Sequence, residues 1–176
     1  MSEPAQNPPS APPAPPAPPA ITGPEDFAPA IRWGVHTAIA DGARCITAVD
    51  IAFGENWPWD DAALLSALAG WLRLPQRRLV LLAAGYDDFA RLHPRFVVWR
   101  RDWSHAIAPY VAPEELAGTL PTLLLDDRRV SVVRLDPVQG RGRASLEPRT
   151  RLHWHDPVDA VLQRSSPGFP VTTLGL

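Results

Sequence analysis

The stretch from Leu120 to Asp136, LPTLLLDDRRVSVVRLD, leaves the least freedom in how this chain can fold. Thr122–Leu125 is apolar and β-rich, and Val130–Leu135 sets Val130, Val132, Val133 and Leu135 against Ser131 and Arg134. Asp126-Asp127-Arg128-Arg129 between the two runs is polar and turn-compatible, so the simplest assignment is a β-hairpin.

Upstream, the pattern predicts a βαβ unit. Cys45–Phe53 (CITAVDIAF) is almost continuously apolar and β-branched, as a strand covered on both faces should be. Trp57-Pro58-Trp59 closes a loop, and Asp60-Asp61 open a helix to Leu74 with Leu64, Leu65, Leu68, Trp71 and Leu72 on one face. Leu79–Ala84 (LVLLAA) is a second buried-type strand, so these two strands should run parallel. Ahead of them, Pro24–Ala43 reads as a helix with Asp26 as N-cap and Phe27, Ile31, Val35 and Ile39 at spacing four.

Downstream, helical stretches are expected to His93 and over Arg95–Ser104, with Phe96, Trp99 and Trp103 inward and Arg100 and Arg101 off that side. Ala106–Val111 is a short strand that Pro109 confines to an edge or irregular position. Pro113-Glu114-Glu115 starts one helical turn, Ala144–Leu146 adds a few residues of strand, and Asp156 caps a last helix with Pro157 at its first position. The apolar, β-branched end Gly168–Leu176 is expected to pack on the body as an edge strand. The fold class is therefore α/β, with a mixed, partly parallel sheet of about five or six strands flanked by helices.

Residues 1–24 hold 10 of the 22 prolines and are otherwise rich in Ala, so they are expected to be a disordered tail ahead of a single domain, 25–176. No basic n-region with an apolar h-region precedes the body, and no apolar run approaches the roughly 20 residues of a membrane span, so the expected location is the cytoplasm. A single cysteine, Cys45, excludes an internal disulfide and a cysteine zinc site. All 17 basic residues are Arg, which removes a P-loop lysine, a Schiff base and a lysine general base. No cofactor is implied.

The order helix, strand, helix, strand, helices, short strand, hairpin, helix, together with LLLDDRRVSVV, resembles half of a phospholipase D-like fold over about Phe27 to Gln163. In that family a His attacks phosphorus, a Lys binds the phosphate oxygens, and an Asp follows. Counting back from Asp126 puts Thr119 and Pro121 at the His and Lys positions; counting back from Asp127 puts Leu120 and Thr122 there. The resemblance thus implies a degenerate half-domain without the catalytic pair.

Four groups of residues carry candidate chemistry. Asp50 stands near the C-terminal end of a buried strand, where open α/β sheets place ligands, although capping the following loop is the commoner use. Asp102, Ser104 and His105 invite a nucleophilic reading, but neighbours on a helix end point apart, and His105 suits the helix terminus. His153 and His155 on an extended stretch would share a face without completing a metal site, and no metal is expected. Residues 91–151 carry 11 Arg against 7 acids, including Arg101 and Arg128, a balance that suits an anionic ligand or a solvated, internally paired surface.

The sequence therefore reads as a non-catalytic binding or regulatory module, with ligand contacts expected among Asp50, Arg101, Ser104, His105 and Arg128. Two other readings stay open. One is a phosphoesterase-like enzyme using His105 or His153, or completed by a dimer partner. The other is an Arg-rich binder of nucleic acid or phospholipid headgroups. The partner is unknown: an anionic ligand, a protein and a second copy of the chain are all compatible with these residues.

Overall fold

The computed structural model describes residues 16–170. Its frame is one mixed sheet of eight strands: β1 (Ala20–Ile21), β2 (Cys45–Val49), β3 (Arg78–Ala83), β4 (Ile107–Val111), β5 (Thr122–Asp126), β6 (Ser131–Asp136), β7 (Arg141–Ser145) and β8 (Ser166–Pro167). They lie in the order β1-β7-β6-β5-β2-β3-β4-β8. The run β2-β3-β4 is parallel, with Cys45 opposite Arg78 and Leu79 opposite Ile107. The hairpin β5-β6 joins it antiparallel, with Ile46 opposite Asp126.

Six helices flank the sheet: α1 (Phe27–Ala40), α2 (Ala62–Leu72), α3 (Phe89–Leu92), α4 (Pro94–Trp99), α5 (Glu114–Ala117) and α6 (Pro148–Leu162). One face receives α1 to α4, whose Ile31, Val35, Leu64, Leu68, Phe89 and Phe96 pack on Ile46, Ala48, Leu79, Leu81 and Leu124. Two of these helices start as the residues dictate. Asp61 caps α2 by accepting from the N–H groups of Ala63 and Leu64, and Pro94 supplies the preset φ of the first position of α4. The other face carries α6, whose Trp154, Val158, Val161 and Leu162 meet Val49, Leu82, Leu123, Leu125 and Val133. Among the described residues no helix is long and apolar enough to cross a membrane.

Several expectations change. The sheet has eight strands instead of five or six, because β1 and β8 are two residues long; β7 runs over Arg141–Ser145, where Ala144–Leu146 was expected. The folded body begins ahead of residue 24: Ile21 is buried, β1 pairs with β7, and Trp33 Nε1 donates to the Pro16 carbonyl. Asp26 makes no cap bond to α1; its Oδ2 accepts instead from Thr22 and Gly23. Arg95–Ser104 is α4 followed by a 3₁₀ turn over Arg100–Trp103.

The largest change is α6, which runs through Pro157 where a helix start was expected. His153 and His155 therefore lie on a helix, and Asp156 is no cap. An interior Pro costs about 3 kcal/mol. Trp154, Val158, Val161 and Leu162 recur on one helical face that begins before the proline, and burying that stripe offsets the loss.

The core next to β2 and β3 is aromatic. Phe53 sits at φ 50, a strained value for a non-glycine residue, and its ring lies 5.0 to 6.2 Å from those of Trp57, Trp59, Tyr86 and Phe89. The buried His93 fixes that backbone, with Nε2 2.8 Å from the Phe53 carbonyl, so the Nε2–H tautomer donates there. Nδ1 has no partner. Burial lowers the pKa of His93, outweighing the Phe53 bond and the nearby Asp60 charge.

The unfolded chain takes up a proton on this histidine near pH 6.5, whereas the folded chain resists it. Stability held above that pH is therefore lost as pH falls through it. The melting temperature should drop between pH 7.5 and 5.5, and His93→Gln should flatten that slope by removing the titrating group. An equal slope in the variant would assign the pH dependence elsewhere.

The edge strand at the C-terminus is Ser166–Pro167, ahead of the expected Gly168–Leu176, and the chain continues against the body through Gly168 and Phe169. Ser166 and Pro167 pair with Val111 and Tyr110, and Gly168 N–H donates to the Pro109 carbonyl at 3.0 Å. Phe169 stacks on Tyr86 at 4.9 Å. A Cβ at Gly168 would stand 2.3 Å from Val111 Cγ2, so only glycine fits there. Residues 171–176, expected to pack as well, lie outside the described residues. Phe169→Ala should cost about 2–3 kcal/mol, below the ~3–5 of a fully buried aromatic because Phe169 is half-buried, and denaturant unfolding measures it. Truncation after Ser166 should lower the melting temperature further.

Candidate functional site

The two ends of the sheet differ in chemistry. At the C-terminal end of β2, Asp50 is committed to the fold. Its Oδ2 accepts from Trp57 Nε1 at 2.9 Å and its Oδ1 from Thr122 Oγ1 at 2.6 Å. Arg134, next to Thr122 in the register, lays its guanidinium 4.0 Å over the Phe27 ring, with Nε and Nη2 unbonded among the described residues. Burial lowers its pKa, and the Asp50 charge opposes that shift. Asp50 thus closes a loop and balances a half-buried cation.

The opposite end gathers arginines. Arg44 precedes β2, Arg77 and Arg78 start β3, Arg128 lies in the β5–β6 turn, and His105 stands ahead of β4. The register makes them neighbours. Cys45 faces Arg78 in the β2–β3 pair, Arg78 N–H donates to the Arg44 carbonyl, and Asp127 N–H donates to the Cys45 carbonyl. Arg73, at the end of α2, extends the row and lies 5.9 Å from the Trp103 ring centroid.

The Asp126–Arg129 turn is held by its own carboxylate. Asp126 Oδ1 accepts from the N–H groups of Arg128, Arg129 and Val130 at 2.9, 2.7 and 2.8 Å, which closes the turn without a glycine. Burial raises the Asp126 pKa against those three bonds. Asp127 Oδ1 accepts from Arg44 N–H at 3.0 Å. Both aspartates therefore shape the turn that presents Arg128.

Arginines without acid partners are concentrated at this end. Seven arginines have a carboxylate within 4.0 Å: Arg32, Arg91, Arg95, Arg129, Arg141, Arg143 and Arg164. Among the described residues the other ten have none; seven of these, Arg44, Arg73, Arg77, Arg78, Arg100, Arg101 and Arg128, lie at or beside the end where β2, β3 and β4 begin, and the remaining three are Arg134, Arg149 and Arg151. The exposed carboxylates there are Asp102 and Asp127, with half-buried Asp159 beside Cys45 and Asp127.

Of the expected ligand contacts, Arg101, Ser104, His105 and Arg128 fall on this end, and Asp50 falls on the other. Ser104 and His105 are exposed, and no hydrogen bond joins them to each other or to Asp102 among the described residues. The described residues contain no group of three or more His, Cys, Asp or Glu placed to hold a metal ion.

Sequence reasoning missed Arg100, which it placed off the apolar side. The residue is 3% exposed, its guanidinium lies 3.9 Å over the Phe169 ring, and Nη2 donates to the Phe169 carbonyl. The signal was present: Arg100 follows Phe96 by one helical turn and so shares its inward side. Arg100, Arg78 and Ser104 open onto one cleft of about 340 Å³ beside β4.

No family model and no curated protein matches the sequence. Among solved structures the chain is similar to TrmBL2, an archaeal chromatin protein whose structure is described as showing a novel mode of DNA binding. The TM-score is 0.57 at 9% identity, covering 85% of this chain and 54% of that one, so this chain spans about half the length of its neighbour. That match corrects the phospholipase D resemblance: the solved fold it finds is that of a chromatin protein, and the Asp126-Asp127 turn that suggested a catalytic signature is a backbone clamp. At this identity the likeness establishes a shared fold.

Proposed function

We propose that this chain is a binding module for nucleic acid, and that the arginine end of the sheet is its contact surface. The observation that carries the reading is the set of arginines there without acid partners, beside seven others neutralised by ion pairs. Guanidinium groups bind phosphate oxygens through paired N–H donors, and unpaired ones keep those donors available. The formal net charge of −2 does not oppose this, because a phosphate backbone responds to the charge within about one Debye length, about 8–10 Å. The fold shared with a chromatin protein that binds DNA supports the reading. The row lies along strand ends and a turn, which suits backbone phosphates better than base edges, so binding is expected to be largely indifferent to sequence.

Each phosphate neutralised releases counterions, so the logarithm of affinity should fall linearly with that of salt, with slope about −0.9 per contact on duplex DNA. Arg44, Arg73, Arg77, Arg78 and Arg128 would together give a slope of about −3 to −5. Fluorescence anisotropy of a labelled duplex across 50–200 mM salt measures it. The double variant Arg44→Ala/Arg128→Ala should flatten the slope by about 2 and weaken binding at every sequence tested. Arg91→Ala, which removes a cation already paired with Asp88, should leave it unchanged. Equal losses in both variants, or no salt-dependent binding by the wild type, would remove the arginine end from the interface.

A further inference from the structure

We infer that the cleft between β4 and the C-terminal segment is a separate binding site for the phosphate group of a small phosphorylated molecule, with Arg100 and Arg78 as its principal donors. The cleft is independent of the nucleic-acid reading in its key residue, because Arg100 is buried and cannot follow a duplex backbone.

Arg100 is the anomaly that points to a ligand. Arg100 is buried as a residue and has no carboxylate within 4.0 Å among the described residues, whereas cations withdrawn from bulk water are ordinarily paired. Its ring partner Phe169 and one hydrogen bond to the Phe169 carbonyl hold it in place without neutralising it. Burial accordingly lowers its pKa. A guanidinium carries five N–H donors, and among the described residues one of them is used. The group faces a cleft of about 340 Å³, within the range of small-molecule sites and larger than one oxyanion needs.

The lining accounts for the rest of the ligand. Arg78 Nη2 donates to the Tyr110 hydroxyl at 3.0 Å, which orients the second guanidinium and leaves the Tyr110 proton free to be donated. Ser104 adds a hydroxyl from the 3₁₀ side of the cleft. Two forked cations and two hydroxyls lining one cleft suit a tetrahedral anion better than a planar carboxylate, which two parallel N–H groups satisfy. The remaining wall is apolar, made by Ile107, Pro109, Pro167 and Pro170, and would receive an uncharged organic part.

The shared chemistry is a phosphomonoester. Phenyl phosphate, inorganic phosphate, benzoate and phenol, each titrated by isothermal calorimetry into the full chain, separate the contributions. Saturable binding of phenyl phosphate, at least tenfold tighter than benzoate and with phenol silent, is expected; inorganic phosphate should bind more weakly for want of the apolar wall. Ser104→Glu places a carboxylate in the cleft from an exposed position and should abolish binding without lowering the melting temperature. Arg78→Ala should weaken it at least tenfold, as should Arg100→Lys, which keeps the charge and loses the fork. Arg44→Ala/Arg128→Ala should bind phenyl phosphate like the wild type while losing duplex affinity, so each site can fail alone. Benzoate binding as tightly as phenyl phosphate, unaltered binding in Ser104→Glu, or no heat from phenyl phosphate would overturn the assignment.

Discussion

The central strand β2 is hydrogen-bonded on both sides, parallel to β3 and antiparallel to β5, and most of the molecule follows from that pairing. Its backbone is buried, so every N–H and C=O needs a partner there, and the two registers are fixed together. Ile46 lies opposite Leu79 on one side and Asp126 on the other. Shifting either register by one residue would turn the apolar set of a strand from one core face to the other, and both faces are filled. This double constraint aligns the start of β2, the start of β3 and the β5–β6 turn at one end of the sheet. Arg44, Arg78 and Arg128 share that end because the strands that carry them cannot slide.

Rigidity on the helical side has an aromatic origin. Phe53, Trp57, Trp59, Tyr86, Phe89 and Phe96 interlock through edge and stacked contacts, and the strained φ of Phe53 persists because four rings and the His93 bond surround it. The same cluster extends to the C-terminal segment through Tyr86 and Phe89 on Phe169. Tyr86 also ties β3 to β4, its hydroxyl lying 3.1 Å from the Leu81 carbonyl and 3.0 Å from that of Tyr110. Arg100 is therefore seated against a wall that belongs to the core, which is why a buried cation can be held without a carboxylate.

The distribution of ion pairs, more than the total charge, gives the surface its character. Exposed pairs such as Arg91–Asp88 and Arg143–Glu147 contribute little to stability, about 0–1 kcal/mol each, yet each cancels a local field. The acids that do this work flank α1, α2, α3 and α6, or lie in α5 and at the end of β6. The strand-start end has Asp126 and Asp127 turned to backbone N–H groups. What remains there is cationic in a chain whose charges almost balance.

The sequence by itself determined the elements whose signal is local. The apolar runs of β2 and β3, the polar turn between β5 and β6, the opening of α2 at Asp60-Asp61 and the βαβ order could all be read from periodicity and turn chemistry. It also determined that no lysine chemistry is available. Tertiary structure decided what depends on distant partners. A two-residue strand such as β1 or β8 exists only because an edge of β7 or β4 accepts it. Helix α6 crosses Pro157 because the sheet buries its stripe, a gain invisible along the chain. Asp50 became a clasp for Trp57 and Thr122, and Arg100 turned inward one helical turn after Phe96. Residue type sets what a side chain can bond; which partners reach it is a property of the register, and the register is fixed only when both faces of the sheet are filled.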